Sequence, residues 1–133
     1  MAVERPEHPH ERLMAWKEAM NLAVECYEIT RAFPNDQRFG LASQIQRASV
    51  SVPANLAEGS ARGSRAETRR FYIISMGSLM ELDTLIILAG QLGFASPERT
   101  AGLRDKIAHA SKLINGLIRY QSKTREATDG KGA

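Results

Sequence analysis

The sequence has few of the residues that disulfide-stapled, metal-binding and β-rich proteins need. It contains one cysteine, Cys26, so no internal disulfide can form, as suits a reducing cytoplasm. Three histidines and 6% aromatic residues give little basis for a metal centre, and no β-strand signal stands out. The first twelve residues, MAVERPEHPHER, lack the apolar core of a signal peptide. We therefore expect a cytoplasmic protein without metal or other cofactor.

Long hydrophobic stretches free of charge are also missing. The most apolar run is Phe71 to Phe94, but Glu81, Asp83 and Gln91 lie inside it. An acid at the centre of a membrane span costs about 2.5–3.5 kcal/mol on insertion scales. The run therefore predicts a buried helix of a protein that does not enter a membrane.

What remains is an ordinary soluble composition. Apolar residues make up 43% and charged residues 25% of 133 residues, which fits one domain with a single core. We expect this domain at residues 12–122. The two ends, residues 1–11 and 123–133, are predicted to be disordered tails.

Helical periodicity and cap signals predict four helices with short connections. Helix 1 is expected from about Arg12 to Ala32, helix 2 after an N-cap at Asp36, helix 3 from a Ser64/Glu67 capping box to about Leu92, and helix 4 from an N-cap at Ser96 to about Lys123. The apolar stripe of helix 2 consists of Leu41, Ile45, Ala48, Val52 and Leu56, and the stripe of helix 4 consists of Leu103, Ile107, Ala110, Ile114, Leu117 and Gln121. Four helices of this length favour an all-α, antiparallel up-down-up-down four-helix bundle.

Pro53 lies within the apolar stripe of helix 2. A proline inside a helix removes one backbone hydrogen bond and bends the helix. We expect one helix kinked at Pro53; the alternative is two helices, the second beginning near Ser51 with Pro53 in its first turn.

Helices 1 and 3 each carry more apolar surface than one face of a bundle needs. Helix 1 has two stripes, one of Leu13, Trp16, Met20, Ala23 and Tyr27, the other of Ala19, Leu22, Cys26, Ile29 and Phe33. Helix 3 has Phe71, Ile74, Ser78, Leu82, Leu85 and Ala89 on one side and Ile73, Met76, Met80 and Ile87 on the other. Either a loop covers the extra apolar surface of helix 1, or this surface forms a second interface. The pattern in helix 3 favours self-association.

The positive charge of the chain is concentrated in one place. Residues 62–70, the basic corner, contain Arg62, Arg65, Arg69 and Arg70 against Glu67, a net charge of +3 that equals the net charge of the whole chain. Guanidinium groups suit phosphate, so the corner predicts a nucleic-acid interface that Arg38 and Arg47 could extend along helix 2. Phe71 and Tyr72 could stack on bases or belong to the core. In the opposing interpretation, the arginines only solubilise the corner and pair with Glu58 and Glu67.

No catalytic or cofactor-binding pattern accompanies this corner. Glu7 and His10 have the E-x-x-H spacing of bundle metal sites, but they lie in a proline-containing tail without a second motif. The glycines of residues 59–64 lack the lysine of a P-loop, and no histidine pairs with a nucleophile. We expect a protein that is not an enzyme. Arg47 and Glu81 could form a partly buried pair that fixes helix register, or line a polar groove for a partner.

Many residues in one order resemble a known family. They are Trp16, Lys17, Ala19, Tyr27, Phe33, Pro34, Gly40, Leu41, Gln44, Arg47, Ala48, the block SVPANLAEG from Ser51 to Gly59, Arg62, Phe71, Gly77, Ser78, Glu81 and Leu82. From about Leu13 to Tyr120 the chain resembles the bacterial four-helix-bundle proteins encoded in intervening sequences of 23S rRNA genes, the ribosomal protein S23-like family. That family is related to the accessory variability determinant protein of diversity-generating retroelements.

The resemblance implies a homo-oligomer, because related proteins form a pentameric barrel. Together with the basic corner, it predicts a non-catalytic protein that binds nucleic acid, RNA before DNA. The alternative is a protein-interaction scaffold, for instance an adaptor for a reverse transcriptase.

Overall fold

A computed structural model describes residues 7–132 of the backbone and residues 7–122 of the side chains. Within these limits the chain forms four α-helices and no strand: α1 (Met14–Arg31), α2 (Leu41–Ser60), α3 (Arg65–Gln91) and α4 (Pro97–Gly132). Two short 3₁₀ helices, Pro9–Arg12 and Asn35–Gln37, precede α1 and α2. The predicted all-α class is confirmed.

The helices are arranged in a ring around one core. Each helix packs against its neighbours in the chain, and α4 closes the ring against α1. In the described residues the diagonal pairs, α1 with α3 and α2 with α4, make no direct backbone approach. This is the predicted up-down-up-down bundle. The starts of α1 and α3 and the end of α2 therefore lie at one end of the molecule.

The two apolar stripes of α1 have different environments. The stripe of Ala19, Leu22, Cys26, Ile29 and Phe33 is buried in the core. The other stripe is divided: Leu13 and Trp16 pack against the edge of the core, whereas Met20 and Tyr27 are each more than 40% exposed, as is the neighbouring Val24. Among the described side chains no loop covers Met20 or Tyr27, and the choice between a covering loop and a second interface stays a prediction.

The α2 helix runs without a break through Pro53, so the two-helix alternative is wrong; the kink stays a prediction. Its predicted stripe, Leu41, Ile45, Ala48, Val52 and Leu56, is buried. The predicted N-cap at Asp36 is wrong. Asp36 lies in a 3₁₀ turn closed by the Gln37 N–H on the Pro34 carbonyl (2.9 Å), and α2 begins at Leu41 with Gly40 at its N-cap.

The α3 helix begins and ends where the sequence predicted. The Ser64 hydroxyl accepts a hydrogen bond from the Glu67 N–H (3.2 Å), and Gly93, with φ +78°, terminates the helix in the left-handed conformation. Its inner face consists of Thr68, Phe71, Tyr72, Ser75, Leu79, Leu82, Leu85, Ile86 and Ala89. Its outer face leaves Ile73, Ile74, Met80 and Leu88 exposed. By length and mean hydropathy alone α3 could cross a membrane, but it packs between α2 and α4 as a core helix of the bundle does.

The α4 helix starts at the predicted cap, where the Ser96 hydroxyl accepts from the Arg99 N–H (3.2 Å). Leu103, Ile107, Ala110 and Ile114 form its buried stripe, as predicted. Its helical backbone continues past Lys123 to Gly132. The side chains of the predicted tail 123–133 and residues 1–6 of the predicted tail 1–11 lie outside the described part of the chain.

Candidate nucleic-acid interface

The basic corner lies where α2 ends and α3 begins, and a close helix contact fixes its shape. A Cβ at Gly59 would lie 2.9 Å from the Cβ of Phe71 and 3.1 Å from the carbonyl oxygen of Thr68. Only glycine allows this approach. The buried Thr68 hydroxyl donates to the Gly59 carbonyl (2.8 Å), which ties the two helices together. Gly59 lies inside α2, which continues to Ser60.

Two of the four arginines in the corner are already paired. Arg62 Nη2 lies 2.6 Å from Glu58 Oε1, and Arg70 Nε lies 2.9 Å from Glu67 Oε2. Both guanidinium groups also lie over the ring of Phe71, at 4.6 and 4.7 Å from its centroid. The hydrogen bond from Arg70 lowers the pKa of Glu67, and the same bond raises the pKa of Arg70. For these two arginines the pairing with Glu58 and Glu67 that the opposing interpretation expects is present.

The other two arginines have no carboxylate partner among the described side chains. Arg65 is exposed, and its Nη1 donates a long bond of 3.4 Å to Gln121 Oε1 on α4. Arg69 is half-buried, and its Nε is shielded from solvent without any hydrogen-bond partner. A buried N–H without an acceptor is rare in folded proteins. Arg65 and Arg69 are therefore the two arginines of the corner whose positive charge no described carboxylate neutralises.

The structure does not bring all predicted residues together. Arg47 is exposed on α2, and fifteen residues of helix place it roughly 20 Å along the axis from Arg62. Arg38 precedes α2 at the opposite end of the bundle, roughly 30 Å away. Arg38 and Arg47 therefore do not adjoin the four arginines of the corner, and their part in an interface that extends along α2 stays a prediction. The expected pairing of Arg47 with Glu81 is also wrong: both are exposed, and no ion pair joins them in the described chain.

The predicted stacking aromatics belong to the core. Phe71 is 8% exposed and Tyr72 3% exposed, and the Tyr72 hydroxyl lies 2.9 Å from that of Ser60. Sequence reasoning missed Tyr120, which is 60% exposed, with the guanidinium carbon of Arg65 6.0 Å from its ring centroid. The up-down topology was the available signal, since it places the distal part of α4 beside the start of α3.

The remaining candidates for chemistry have structural partners. Glu7 pairs with Arg12 (3.1 Å), and the ring of His10 packs edge-on against Trp16 (5.1 Å between centroids). Among the described residues no group of three or more His, Cys, Asp or Glu side chains could hold a metal ion. Cys26 is fully buried, and burial, followed by the charge of Glu25, raises the pKa of its thiol to about 12. A thiol with this pKa is a poor nucleophile at neutral pH.

The fold and this corner define a class: a small four-helix bundle with a basic end, and with no assembled metal site in the described residues. The chain belongs to the 23S rRNA-intervening sequence protein family, whose model matches residues 11–116. A similar fold occurs in a crystal structure of a protein of unknown function from the S23 ribosomal protein family of Bacteroides thetaiotaomicron. That protein is 21% identical, with a TM-score of 0.74, and the match covers 79% of this chain and 98% of the other. A comparison with curated proteins gave no match.

Proposed function

We propose that this protein is a non-catalytic, cytoplasmic, oligomeric protein that binds nucleic acid through phosphate contacts at the basic corner. The observation that carries the proposal is the state of Arg65 and Arg69, which no carboxylate neutralises in the described chain. RNA is the favoured ligand, because the family name refers to 23S rRNA. Tyr120, beside Arg65, offers an exposed ring on which an unpaired base can stack.

Exposed apolar surface supports the oligomer. On α1, Met20, Val24 and Tyr27 line a groove of about 450 Å³ together with Val50 and Pro53 of α2. On α3, Ile73, Met80 and Leu88 form a second apolar face. Because α1 and α3 are diagonal in the bundle, the two faces point in different directions. If the α1 face of one copy contacts the α3 face of the next, the contacts are heterologous and close into a ring, in keeping with the implied pentamer.

A ring would also strengthen weak contacts with nucleic acid. Each copy would present one basic corner at the same end of the assembly. Several phosphate contacts on one strand then act together, so that modest affinity per corner gives useful affinity overall. Binding should therefore depend on the oligomer as well as on the arginines.

The main test measures binding of a structured RNA by fluorescence anisotropy at several salt concentrations. Arg65→Gln combined with Arg69→Gln should weaken binding about tenfold or more and reduce the steepness of the salt dependence by about two ions per copy. Arg99→Gln combined with Lys112→Gln removes the same charge from exposed sites of α4 outside the corner, and should have little effect. Absence of RNA binding at low salt, or equal losses in the two double variants, would contradict the proposal.

A second test seeks a gain of affinity. Glu67→Gln removes the carboxylate charge that holds Arg70 in an ion pair and so deletes a negative charge from the corner, while the helix cap made by Ser64 stays intact. We expect RNA binding to tighten by a few-fold. Asp105→Asn, the same charge change at an exposed position on α4, is the control. Weaker binding by Glu67→Gln would show that the Arg70–Glu67 pair itself is needed.

The oligomer is tested by light scattering at micromolar concentration. Met80→Glu on the outer face of α3 should dissociate it, since a charge would be buried in an apolar contact. Ala108→Glu, at an exposed position of α4, should leave the mass unchanged. A clean monomer mass for the unmodified protein would end this part of the proposal.

The second candidate function is a protein-interaction scaffold, with the apolar groove between α1 and α2 as the docking surface. The exposed Met20, Val24 and Tyr27 favour it, because apolar contacts persist at high salt whereas phosphate contacts do not. Genes next to the coding frame would separate the candidates. A neighbouring reverse transcriptase would favour an adaptor, and an rRNA insertion would favour RNA binding.

A further inference from the structure

The connection between α1 and α2 forms a second cationic site, at the end of the bundle opposite the basic corner. After α1 the chain turns through Phe33 and Pro34, passes the 3₁₀ helix Asn35–Gln37, and enters α2 at Leu41. A cavity of about 250 Å³, the turn pocket, lies between this connection and the two helices. It is lined by Thr30, Arg31, Phe33, Pro34, Asn35, Arg38, Ala42 and Gln46.

Part of the pocket lining is polar and fixed. Thr30 is only 5% exposed, and its hydroxyl donates to the carbonyls of Cys26 (2.9 Å) and Tyr27 (3.0 Å). The amide of Gln46 donates to the Thr30 hydroxyl from across the α1–α2 contact (3.0 Å). That bond uses one of the two amide hydrogens of Gln46, and the other is available to a ligand. The amide is therefore held in place before a ligand arrives.

Two guanidinium groups contribute to the same pocket. Arg31 comes from the end of α1 and Arg38 from the connection, and neither forms an ion pair within the described chain. The nearest acids in the sequence, Glu28 and Asp36, are exposed and not paired with them. Two arginines beside the fixed amide donor of Gln46 suit a phosphate, which accepts several charge-assisted hydrogen bonds at once.

An exposed aromatic ring adjoins this cationic site. Phe39 is 89% exposed, the largest exposure among the large apolar residues of the described chain. The guanidinium carbon of Arg38 lies 5.4 Å from the centroid of its ring. The other face of the ring is open to a planar group. An aromatic face next to an arginine that can hold phosphate is the combination that binds a nucleotide base and its phosphate together.

We propose that the turn pocket binds a nucleotide, with Arg31 and Arg38 on the phosphate, the Asn35 and Gln46 amides as further donors, and Phe39 against the base. The nucleotide can be free or the phosphorylated terminus of a nucleic-acid strand. The site lies roughly 30 Å along α2 from the basic corner, so it does not depend on phosphate binding there.

The experiment uses the full-length protein labelled for NMR. Titration with adenosine 5′-monophosphate should shift backbone amides of residues 30–46 and leave those of 62–70 in place. Adenosine alone and inorganic phosphate should each bind more weakly, because each makes only part of the contacts. Arg31→Gln combined with Arg38→Gln should weaken nucleotide binding about tenfold or more. Arg99→Gln combined with Lys112→Gln, two exposed and unpaired cations of α4, is the charge-matched control.

A separate variant isolates the aromatic contact. Phe39→Ala should lower the affinity for the nucleotide to that for inorganic phosphate and leave phosphate binding unchanged. The ring is exposed, so the fold should not change, which circular dichroism would verify.

Two oligonucleotides, one with a 5′-phosphate and one with a 5′-hydroxyl, distinguish the two sources. Preference for the phosphorylated strand at residues 30–46 would identify a strand terminus, and binding of the mononucleotide only would identify a free nucleotide. No amide shifts at millimolar nucleotide, shifts confined to residues 62–70, or equal losses in the two double variants would overturn the turn pocket. If the Arg65→Gln, Arg69→Gln variant loses RNA binding but still binds the nucleotide at residues 30–46, the two sites are independent and the proposal of the turn pocket is retained.

Discussion

Two helix contacts in this bundle are built in different ways. Where α2 meets α3, small residues let the backbones approach, and hydroxyl groups make short hydrogen bonds across the contact. Where α1 meets α4, the side-chain links are an ion pair of Lys106 with Glu25 and a weak approach of His109 to Glu18 (3.8 Å), all partly exposed. The first contact is extensive and the second is the loosest among neighbouring helices.

The difference has an energetic meaning. A buried hydroxyl that donates to a backbone carbonyl is costly to remove, because its partner loses a bond that water cannot replace. An exposed ion pair contributes little, because water and salt screen it. The basic corner lies at the end of the tight α2–α3 contact, so its arginines are carried on the more rigid half of the bundle.

The largest expected effect is at Gly59. Gly59→Val should destabilise the fold by about 2–3 kcal/mol, because the added atoms meet the Cβ of Phe71 and the Thr68 carbonyl, neither of which can move freely. Urea unfolding followed by circular dichroism would measure it. Gly102→Ala is the control: it also lies inside a helix but has nothing within 4 Å of the added atom, and should stabilise by up to about 1 kcal/mol. If Gly59→Val and Gly102→Ala changed the unfolding free energy equally, the α2–α3 contact would not be distinguished by a close approach at Gly59.

Thr68 should give the next effect. Thr68→Val keeps the shape of the side chain but deletes the hydroxyl that donates to the Gly59 carbonyl (2.8 Å), at an expected cost of about 1–2 kcal/mol. Thr84→Val is the matched control on the same helix, because the exposed Thr84 hydroxyl bonds only to its own helix at Met80. It should change the unfolding free energy by less than about 0.5 kcal/mol. A similar cost at both positions would mean that helix propensity, and not the contact with α2, dominates.

Alkaline pH probes the core where α1 packs against α2, because the Cys26 thiol interacts with Ser49 of α2. The pKa of Cys26 rises from 9.0 to about 12, first through burial and then through the charge of Glu25. The unfolded chain therefore loses its thiol proton at lower pH than the folded chain. The stability from Cys26 is complete below pH 9 and is lost as pH rises from 9 toward 12. We expect a loss of about 1 kcal/mol between pH 8 and pH 10, measured by urea unfolding and absent in Cys26→Ala. The same alkaline loss in that variant would assign the effect to other groups.

The sequence predicted those features of the helices that depend on the local spacing of residues. The inner stripes of α1, α2 and α4 and the caps at Ser64 and Ser96 are confirmed, because apolar spacing and short polar side chains act locally. On α3 the pattern was ambiguous, since apolar residues surround the helix, and the buried Ser75 and Leu79 were not singled out. Nothing local distinguishes Ser75 from a surface serine. Its hydroxyl becomes structural only because α2 brings the Val52 carbonyl within 2.8 Å.

The candidate site was also predicted only in part, because some of its features are local in the sequence and others depend on how the helices pack. The corner was found from the clustering of charge in the sequence. The separation of Arg38 from it, the pairing of Arg62 and Arg70, and the presence of Tyr120 near Arg65 depend on helix length and on which helices are adjacent. A charge count treats four arginines as equal, although two are paired with acids and two are not.

The smallest expected effect is at the α1–α4 contact. Lys106→Met removes the ion pair with Glu25 and keeps most of the aliphatic side chain. Because the lysine is about half exposed, the unfolding free energy should change by less than about 1 kcal/mol, with a smaller difference at high salt. Comparison with Lys112→Met, an exposed and unpaired lysine on the same helix, isolates the pair. A loss of about 2 kcal/mol or more would show that the partly buried carboxylate of Glu25, whose Oε2 has no partner in the described chain, needs the lysine charge. The α1–α4 contact would then be as dependent on one interaction as the α2–α3 contact is on Gly59.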